Sequence, residues 1–155
     1  MQTLDFTQVR ALFEKIADAK VKIPEIKREF LERVSTEMQE TVRANIASRI
    51  NDDNGHVQSW QQAYVGSRYG YSAVRAEKTE LTGSNSHGAV TNYLEHGHAI
   101  RGPSGTSTRR YRPRIKVPKV AGRFFYRASQ AYIDRMVQNG SDWLARRILE
   151  EMGFT

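Results

Sequence analysis

The fold is decided by residues 24–50, which read P-E-I-K-R-E-F-L-E-R-V-S-T-E-M-Q-E-T-V-R-A-N-I-A-S-R-I. An apolar residue recurs at every fourth position, with charged residues between, in the series Ile26, Phe30, Val34, Met38, Val42 and Ile46. Side chains four positions apart lie on one face of an α-helix, and Pro24 suits a first helical turn. The stretch therefore predicts a long helix that ends at Arg49 or Ile50 and buries this face in the core.

The flanking segments predict a second helix and a turn. Residues 4–19 predict a separate amphipathic helix, because their apolar members recur at roughly helical spacing. These members are Leu4, Val9, Leu12, Phe13 and Ile16. The cluster N-D-D-N-G at 51–55 ends the long helix, since Asn, Asp and Gly accept the backbone conformations that a helix end requires.

After this turn the pattern changes to one typical of strands. Residues 57–65 and 69–81 are rich in Val, Tyr, Trp and Thr, and G-S-R-Y-G at 66–70 suits a hairpin connection. Two antiparallel strands are the simplest interpretation. Residues 89–96, A-V-T-N-Y-L-E-H, fit either a short helix or a third strand, because periodicity does not separate the two over so few residues.

The C-terminal third predicts an extended segment and a last helix. Residues 97–122 are rich in Gly, Pro and Arg, but I-K-V-P-K-V alternates apolar with basic residues, as an extended arm or ribbon would. The last helix begins at Gly122, and N-G-S-D at 139–142 is a place where it bends or breaks. Its apolar members are Phe125, Ala128, Tyr132, Met136, Leu144 and Ile148.

These elements predict an α+β fold in which long N-terminal helices and a C-terminal helix pack on a small antiparallel β-sheet, with an extended basic loop or arm. The length of 155 residues fits a single domain. Within 1–155 the predicted parts are a helical region at 1–50, a β-sheet region with a short helix at 56–96, a basic arm at 97–121 and a C-terminal helix at 122–152.

The charge of the chain is concentrated in the predicted arm. The formal net charge is +7, and no acidic residue lies between Glu95 and Asp134. The basic residues of that interval are Arg101, Arg109, Arg110, Arg112, Arg114, Lys116, Lys119, Arg123 and Arg127. Such a local field attracts polyanions or acidic protein surfaces.

Composition also excludes some classes of function. The chain has no cysteine, which rules out disulfides and thiolate chemistry. It has no apolar run near the ~20 residues of a membrane span, and its first residues lack the pattern of a signal peptide. We therefore expect a soluble protein that is made in the cytoplasm and has no membrane partner.

The stretch E-H-G-H at 95–98 raises the question of a metal site, because Glu95, His96 and His98 offer oxygen and nitrogen ligands. The two histidines straddle a glycine and point apart on most backbones, so we expect no metal there. The serines lack a nucleophile-elbow pattern, and the glycines form no phosphate-binding loop. The sequence therefore predicts neither an enzyme nor a cofactor.

Three motifs carry a resemblance to a known family. They are G-H-V-Q-S-W at 55–60, N-Y-L-E-H-G-H at 92–98 and V-A-G-R-F-F-Y at 120–126. Their order resembles that in the neck proteins of tailed bacteriophages, the small head–tail joining, tail-completion or minor tail proteins. In that family a helical region precedes a Ser-Trp strand, a hairpin, a Tyr-x-x-hydrophobic-Glu-x-Gly corner, a variable basic loop and a last helix. One departure is that N-D-D-N-G stands where many members carry Pro-x-Asp-Thr-Gly.

The resemblance implies roles for particular residues. Tyr93, Glu95, Gly97 and His98 would form a structural corner, and the core anchors would be Trp60, Phe124 and Phe125. The arm would meet a partner or the DNA conduit through Arg101, Arg109, Arg110, Arg112, Arg114, Lys116 and Lys119.

The resemblance also implies a place and partners for the protein. It would be a structural virion protein, located at the head–tail junction and assembled as a ring of six or twelve copies. Its neighbours would be a head-closure or connector protein and a tail-tube protein, with non-specific contact to packaged DNA as a further expectation. The alternative is a small basic nucleic-acid-binding protein that acts through phosphate contacts, because the nine cations between Glu95 and Asp134 are interspersed with Tyr111, Phe124, Phe125 and Tyr126.

Overall fold

A computed structural model describes residues 7–80, 83–99 and 119–154. The elements in chain order are α1 (Thr7–Arg49), α2 (His56–Trp60), β1 (Gln61–Val65), β2 (Ser72–Ala76), a 3-10 turn (Gly83–Asn85), α3 (His87–His96), β3 (Gly97–Ala99), β4 (Lys119–Ala121) and α4 (Phe125–Glu151). The strands form two antiparallel two-stranded sheets, β1–β2 and β3–β4, which confirms the α+β class. None of the helices within the described ranges is long and apolar enough to span a membrane.

The prediction of two separate N-terminal helices was wrong, because α1 runs without interruption through Pro24. A proline inside a helix removes one backbone hydrogen bond and costs about 3 kcal/mol. Residues 17–23 contain no other helix breaker, and Ala19 and Ile26 are buried on either side of the proline. Burial of both halves explains why the helix continues.

The apolar face of α1 lies in the core, as its four-residue spacing predicted. Ile26, Val34, Val42 and Ile46 are buried. The two remaining members of the series, Phe30 and Met38, are half-buried. Toward the N-terminus of α1 the apolar side chains are no longer buried, and Leu12, Phe13 and Ile16 are exposed.

Contacts group the chain into two compact units. The single domain expected from the length stays a prediction. Unit 1 comprises the described residues within Met1–Glu40, Ala63–Val74 and Ala131–Thr155. Unit 2 comprises those within Thr41–Gln62 and Arg75–Gln130.

In unit 1, α1 and α4 meet through an aromatic pair and an ion pair. The rings of Phe30 and Trp143 stack with centroids 6.3 Å apart, and Lys22 Nζ lies 2.5 Å from Glu151 Oε2. Helix α4 is continuous, so of the break or bend predicted at 139–142 the break does not occur, and the expected start at Gly122 was wrong because the helix begins at Phe125. The Phe30 ring packs where a side chain at Gly140 would lie.

A predicted strand also proved to be partly a helix. Residues 57–60 belong to α2, and β1 begins only at Gln61. The Asp52 carboxylate accepts hydrogen bonds from the amides of Val57 (3.2 Å) and Gln58 (3.0 Å), which satisfies the free N–H groups of a helix start. Burial raises the pKa of Asp52, but these amide hydrogen bonds outweigh it and leave the pKa below its ordinary value.

The hairpin connection at 66–70 is confirmed, although its strands are shorter than predicted. The amide of Gly66 donates to the carbonyl of Tyr71 at 3.0 Å, and the amide of Tyr69 donates to the carbonyl of Gly66 at 2.8 Å. The second strand, predicted over 69–81, is limited to Ser72–Ala76.

Residues 89–96, for which helix and strand were both open, are helical. The Ser86 side chain accepts a hydrogen bond from the amide of Ala89 at 3.3 Å and caps α3, and Gly97 ends the helix with φ 76°. The chain then enters β3, which pairs with β4. The register is Gly97 with Ala121, His98 with Val120 and Ala99 with Lys119.

Replacing Gly140 with alanine tests the packing of unit 1. Alanine gains up to about 1 kcal/mol over glycine in a helix, but a Cβ here lies 2.4 Å from Phe30 Cε2, and overpacking costs about 1–3 kcal/mol. We therefore expect Gly140→Ala to lower the free energy of unfolding in denaturant titrations. Gly88→Ala in α3 is the matched control, because no atom lies within 4 Å of its Cβ, and it should be neutral or stabilising. Stabilisation of both variants would contradict the described packing.

Candidate functional site

The candidate site lies in unit 2, where two of the three motifs meet. The end of α3 and the residues before α4 are joined through their backbones. The amide of Arg123 donates to the carbonyl of Leu94 at 2.8 Å, and the amide of Phe124 donates to the carbonyl of Glu95 at 3.1 Å. With the β3–β4 pairing, these bonds make one structural corner from residues 92–98 and 120–126.

The Glu95 side chain fastens this corner to the start of α4. Only 4% of Glu95 is exposed. Its Oε2 accepts a hydrogen bond from the amide of Tyr126 at 3.0 Å, and its Oε1 accepts one from the amide of Arg127 at 3.1 Å. A carboxylate at a helix N-terminus satisfies free N–H groups and interacts favourably with the helix dipole. Glu95 therefore caps α4 although it lies some thirty residues earlier in the chain.

Two glycines allow the backbones of the corner to approach closely. A Cβ on Gly97 would lie 2.3 Å from the carbonyl oxygen of Val120, and the positive φ of this residue favours glycine in addition. A Cβ on Gly122 would lie 2.3 Å from the carbonyl oxygen of Glu95. The predicted role of Gly97 agrees with this geometry, whereas the equal need for a glycine at 122 was not anticipated.

A buried polar network connects the start of β1 with α3 and with the first turn of α4, next to the corner. Gln61 is fully buried, and its Nε2 donates to the carbonyl of Val57 at 3.1 Å and contacts Thr91 Oγ1 at 3.4 Å. The Tyr126 hydroxyl donates to Gln61 Oε1. Burial, with a smaller contribution from the Glu95 carboxylate, raises the pKa of Tyr126 to about 12, so the hydroxyl keeps its proton. Sequence reasoning missed Gln61, because a polar residue at the start of a strand gives no sign of burial.

The three expected core anchors have different positions. Phe125 is fully buried. Trp60 is half-buried and stacks on His87 with centroids 4.0 Å apart, and His87 Nδ1 lies 3.3 Å from Glu77 Oε1. The prediction for Phe124 was wrong, because this residue is 42% exposed and has φ 53°. It is the last residue before α4, and the turn into the helix directs only the next aromatic residue inward.

Tyr93 and His98 lie on the outer side of the corner. Their ring centroids are 5.4 Å apart, and Tyr93 is 39% exposed. His98 pairs with Val120 in the ribbon, and both residues are exposed. These residues form a small surface around the base of the β3–β4 ribbon.

The basic segment begins and ends at this ribbon. Lys119 is exposed at the first position of β4, directly opposite Ala99. The other expected arm residues lie outside the described residues, and they are Arg101, Arg109, Arg110, Arg112, Arg114 and Lys116. The pairing of Ala99 with Lys119 nevertheless brings the two ends of segment 100–118 side by side.

The polar groups of the corner have a structural role, because they hydrogen-bond to one another and to the backbone. Both oxygens of the Glu95 carboxylate accept backbone hydrogen bonds, and the Tyr126 hydroxyl is bonded to Gln61. Within residues 7–80, 83–99 and 119–154, no group of three or more His, Asp or Glu side chains is placed to hold a metal ion. The corner thus fixes the ends of the basic segment through groups that are already engaged.

The chain matches no protein-family model, no curated protein and no solved structure.

Proposed function

We propose that this chain is a structural neck protein of a tailed bacteriophage or prophage. It assembles as a ring at the head–tail junction, joins tail to head and continues the conduit for DNA. The observation that carries the proposal is the corner itself. The motifs at 92–98 and 120–126 are two of the three on which the resemblance to neck proteins rests, and they are joined by the Glu95 carboxylate and by the close approach of Gly97 and Gly122.

The geometry of the corner supports a role in presenting the basic segment. The hydrogen-bonded corner places Ala99 opposite Lys119, the two residues that flank segment 100–118. This segment, which carries much of the positive charge, is joined to the corner through these two residues. Of the two partners that such a charge attracts, we favour an acidic surface on a neighbouring ring. A conduit through which DNA must slide should not bind its phosphates tightly.

Nucleic acid is the second candidate partner, favoured by the uninterrupted positive charge between Glu95 and Asp134. Contact with phosphates would release counterions, so binding would weaken steeply as salt is raised. The salt dependence of binding separates this function from protein docking.

The test is complementation of a phage that lacks this gene. Without the protein we expect heads and separate tails that fail to join, as scored by electron microscopy, and the wild-type gene should restore joined particles. A variant with Arg109, Arg110, Arg112 and Arg114 changed to glutamine should restore few or none, because the docking charge is lost. The matched control removes four exposed positive charges elsewhere, through glutamine at Lys27, Arg68, Lys78 and Arg146, and should restore joining.

Three outcomes would contradict the proposal in different ways. Normal virions in the absence of the gene would refute the neck function. Full joining by the four-arginine variant would remove the basic segment from the interface. If the purified protein binds DNA tightly and the four substitutions reduce the slope of log K against log salt by up to about one unit per lost contact, nucleic-acid binding is the better account.

A further inference from the structure

The N-terminal half of α1 carries an apolar ridge that the described residues of unit 1 leave exposed. Phe13, Ala17 and Val21 follow one another at four-residue intervals, so they lie along one face of the helix. Val21 is 79% exposed and Phe13 is 66% exposed, the two highest values among large apolar side chains in the described part of the chain. Leu12 and Ile16, which are 40% and 39% exposed, adjoin them, and a contiguous exposed apolar patch marks a surface that meets another protein.

Unit 1 also contains an open groove between α1 and α4. Its volume is about 420 Å³, and its apolar wall is built from Phe30, Val34, Met136 and Trp143. Arg33, Glu37 and Arg135 also line it. The groove is thus an apolar cleft that is large enough for an aromatic side chain and is lined in addition by two guanidinium groups and one carboxylate.

Two carboxylates lie beside the ridge, and guanidinium groups line the groove. Glu14, Asp18 and Lys22 each follow a ridge residue, so they form a parallel row on the next strip of the helix surface, acidic at its first two positions and basic at the third. Among the described residues neither carboxylate has an ion pair, and the same holds for Arg135. Arg33 pairs with Glu37 at 3.1 Å. A helix that places the ridge in the groove would bring two carboxylates near the guanidinium group of Arg135.

We propose that the ridge of one copy of this chain binds in the groove of the next copy. The occupant of the groove is a second copy, because this chain supplies both the exposed aromatic residue and the two carboxylates that the groove fits. Ridge and groove are different surfaces, so the contact is head-to-tail, and repeated head-to-tail contacts close into a ring when the rotation allows. The inference rests on the proposed neck function and deepens it by naming the contact between subunits.

The test uses full-length purified protein and sedimentation velocity. The ridge variant carries Phe13→Ser and Val21→Ser, and the groove variant carries Arg135→Glu and Asn139→Glu; all four positions are exposed. Wild-type protein should assemble, and each variant alone should sediment as a monomer. An equimolar mixture of the two variants should form a one-to-one dimer, because one intact ridge then meets one intact groove and the opposite pair is disabled.

Charge reversal provides a second, independent measurement. Adding Glu14→Lys and Asp18→Lys to the groove variant should restore assembly, since the attraction is recreated with opposite signs. The matched control removes two other exposed apolar side chains of α4, through Val137→Ser and Leu149→Ser, and should assemble as the wild type does.

Three results would overturn the inference. They are single variants that assemble normally, a variant mixture that stays monomeric, and a wild-type chain that is monomeric, which would leave the groove to a different protein or a small apolar ligand. These results differ from failure of the neck function, which is judged by virion formation in the complementation experiment. A virion that forms without this gene would leave a measured ridge-to-groove contact intact.

Discussion

Replacing Gly97 with alanine is expected to cause the largest loss of stability of any single substitution considered for this chain. Two costs combine at this position. A Cβ would lie 2.3 Å from the carbonyl oxygen of Val120 and 2.6 Å from the amide nitrogen of Gly122, which are backbone atoms that cannot rotate away. The positive φ of 76° adds a cost of order 1–3 kcal/mol for a residue with a side chain.

The glycines of this chain allow the two costs to be measured separately. Gly83 has φ 67° and no atom within 4 Å of its Cβ, so Gly83→Ala reports the conformational cost alone. Gly122 has a Cβ position 2.3 Å from the carbonyl oxygen of Glu95 without a positive φ, so Gly122→Ala reports the steric cost alone. Gly97→Ala should exceed both.

Thermal and denaturant unfolding measure the stability losses of these three variants and so their order. Overpacking of about 1–3 kcal/mol together with the backbone cost gives a loss for Gly97→Ala of about 2–6 kcal/mol, a large part of the 5–15 kcal/mol typical of a domain. The melting temperature should then fall by roughly 10 °C or more. A Gly97→Ala protein no less stable than Gly83→Ala would show that the two backbones do not approach closely.

Replacing Glu95 with alanine is expected to have the second-largest effect. The amides of Tyr126 and Arg127 would lose their acceptors at a part-buried helix start, and an unsatisfied amide costs up to about 1–3 kcal/mol where water does not replace the acceptor. We expect a loss of about 2–5 kcal/mol in the free energy of unfolding. Glu95→Gln should lose less, because the amide carbonyl can still accept one hydrogen bond while the favourable charge at the helix N-terminus is gone.

A spectroscopic measurement separates the specific role of Glu95 from general destabilisation. Its carboxylate adds to burial in raising the pKa of Tyr126 to about 12, so Glu95→Gln should lower that pKa. Ultraviolet titration of tyrosinate, with Tyr126→Phe to identify the signal, detects the change. Glu29→Ala on the exposed surface of α1 is the control and should change stability by no more than about 0.5 kcal/mol. An unshifted tyrosine pKa together with unchanged stability would contradict the capping role.

Local patterns in the sequence predicted those parts of the fold that depend on local chemistry. The spacing from Ile26 to Ile46 gave the buried face of α1, and the glycine at 97 indicated a sharp corner. Residues 57–60 were misassigned because Val and Trp favour strands, whereas the Asp52 carboxylate, several residues earlier, caps them as a helix. Secondary-structure propensities describe single residues and do not include a capping carboxylate elsewhere in the chain.

The contacts that build the corner were not predictable from spacing. The pairing of the Glu95 carboxylate with amides some thirty residues away, and that of Tyr126 with Gln61, depend on the tertiary fold. Phe124 and Phe125 are neighbours of the same type, and only the turn at the start of α4 decides which one is buried. The ridge and the groove of unit 1 were equally invisible, because exposure is a property of the folded chain.

The register that places Ala99 opposite Lys119 also determines how freely this protein can vary. The Cα atoms of opposed residues in an antiparallel pair lie about 4.5–5.5 Å apart. The β3–β4 pairing therefore requires only that the chain between Ala99 and Lys119 returns over this short distance. Doubling the length of a flexible loop costs only about 0.6 kcal/mol in closure entropy. We therefore expect the described scaffold to tolerate changes in the length and sequence of the chain between these two positions, so that the same ribbon can carry different recognition sequences.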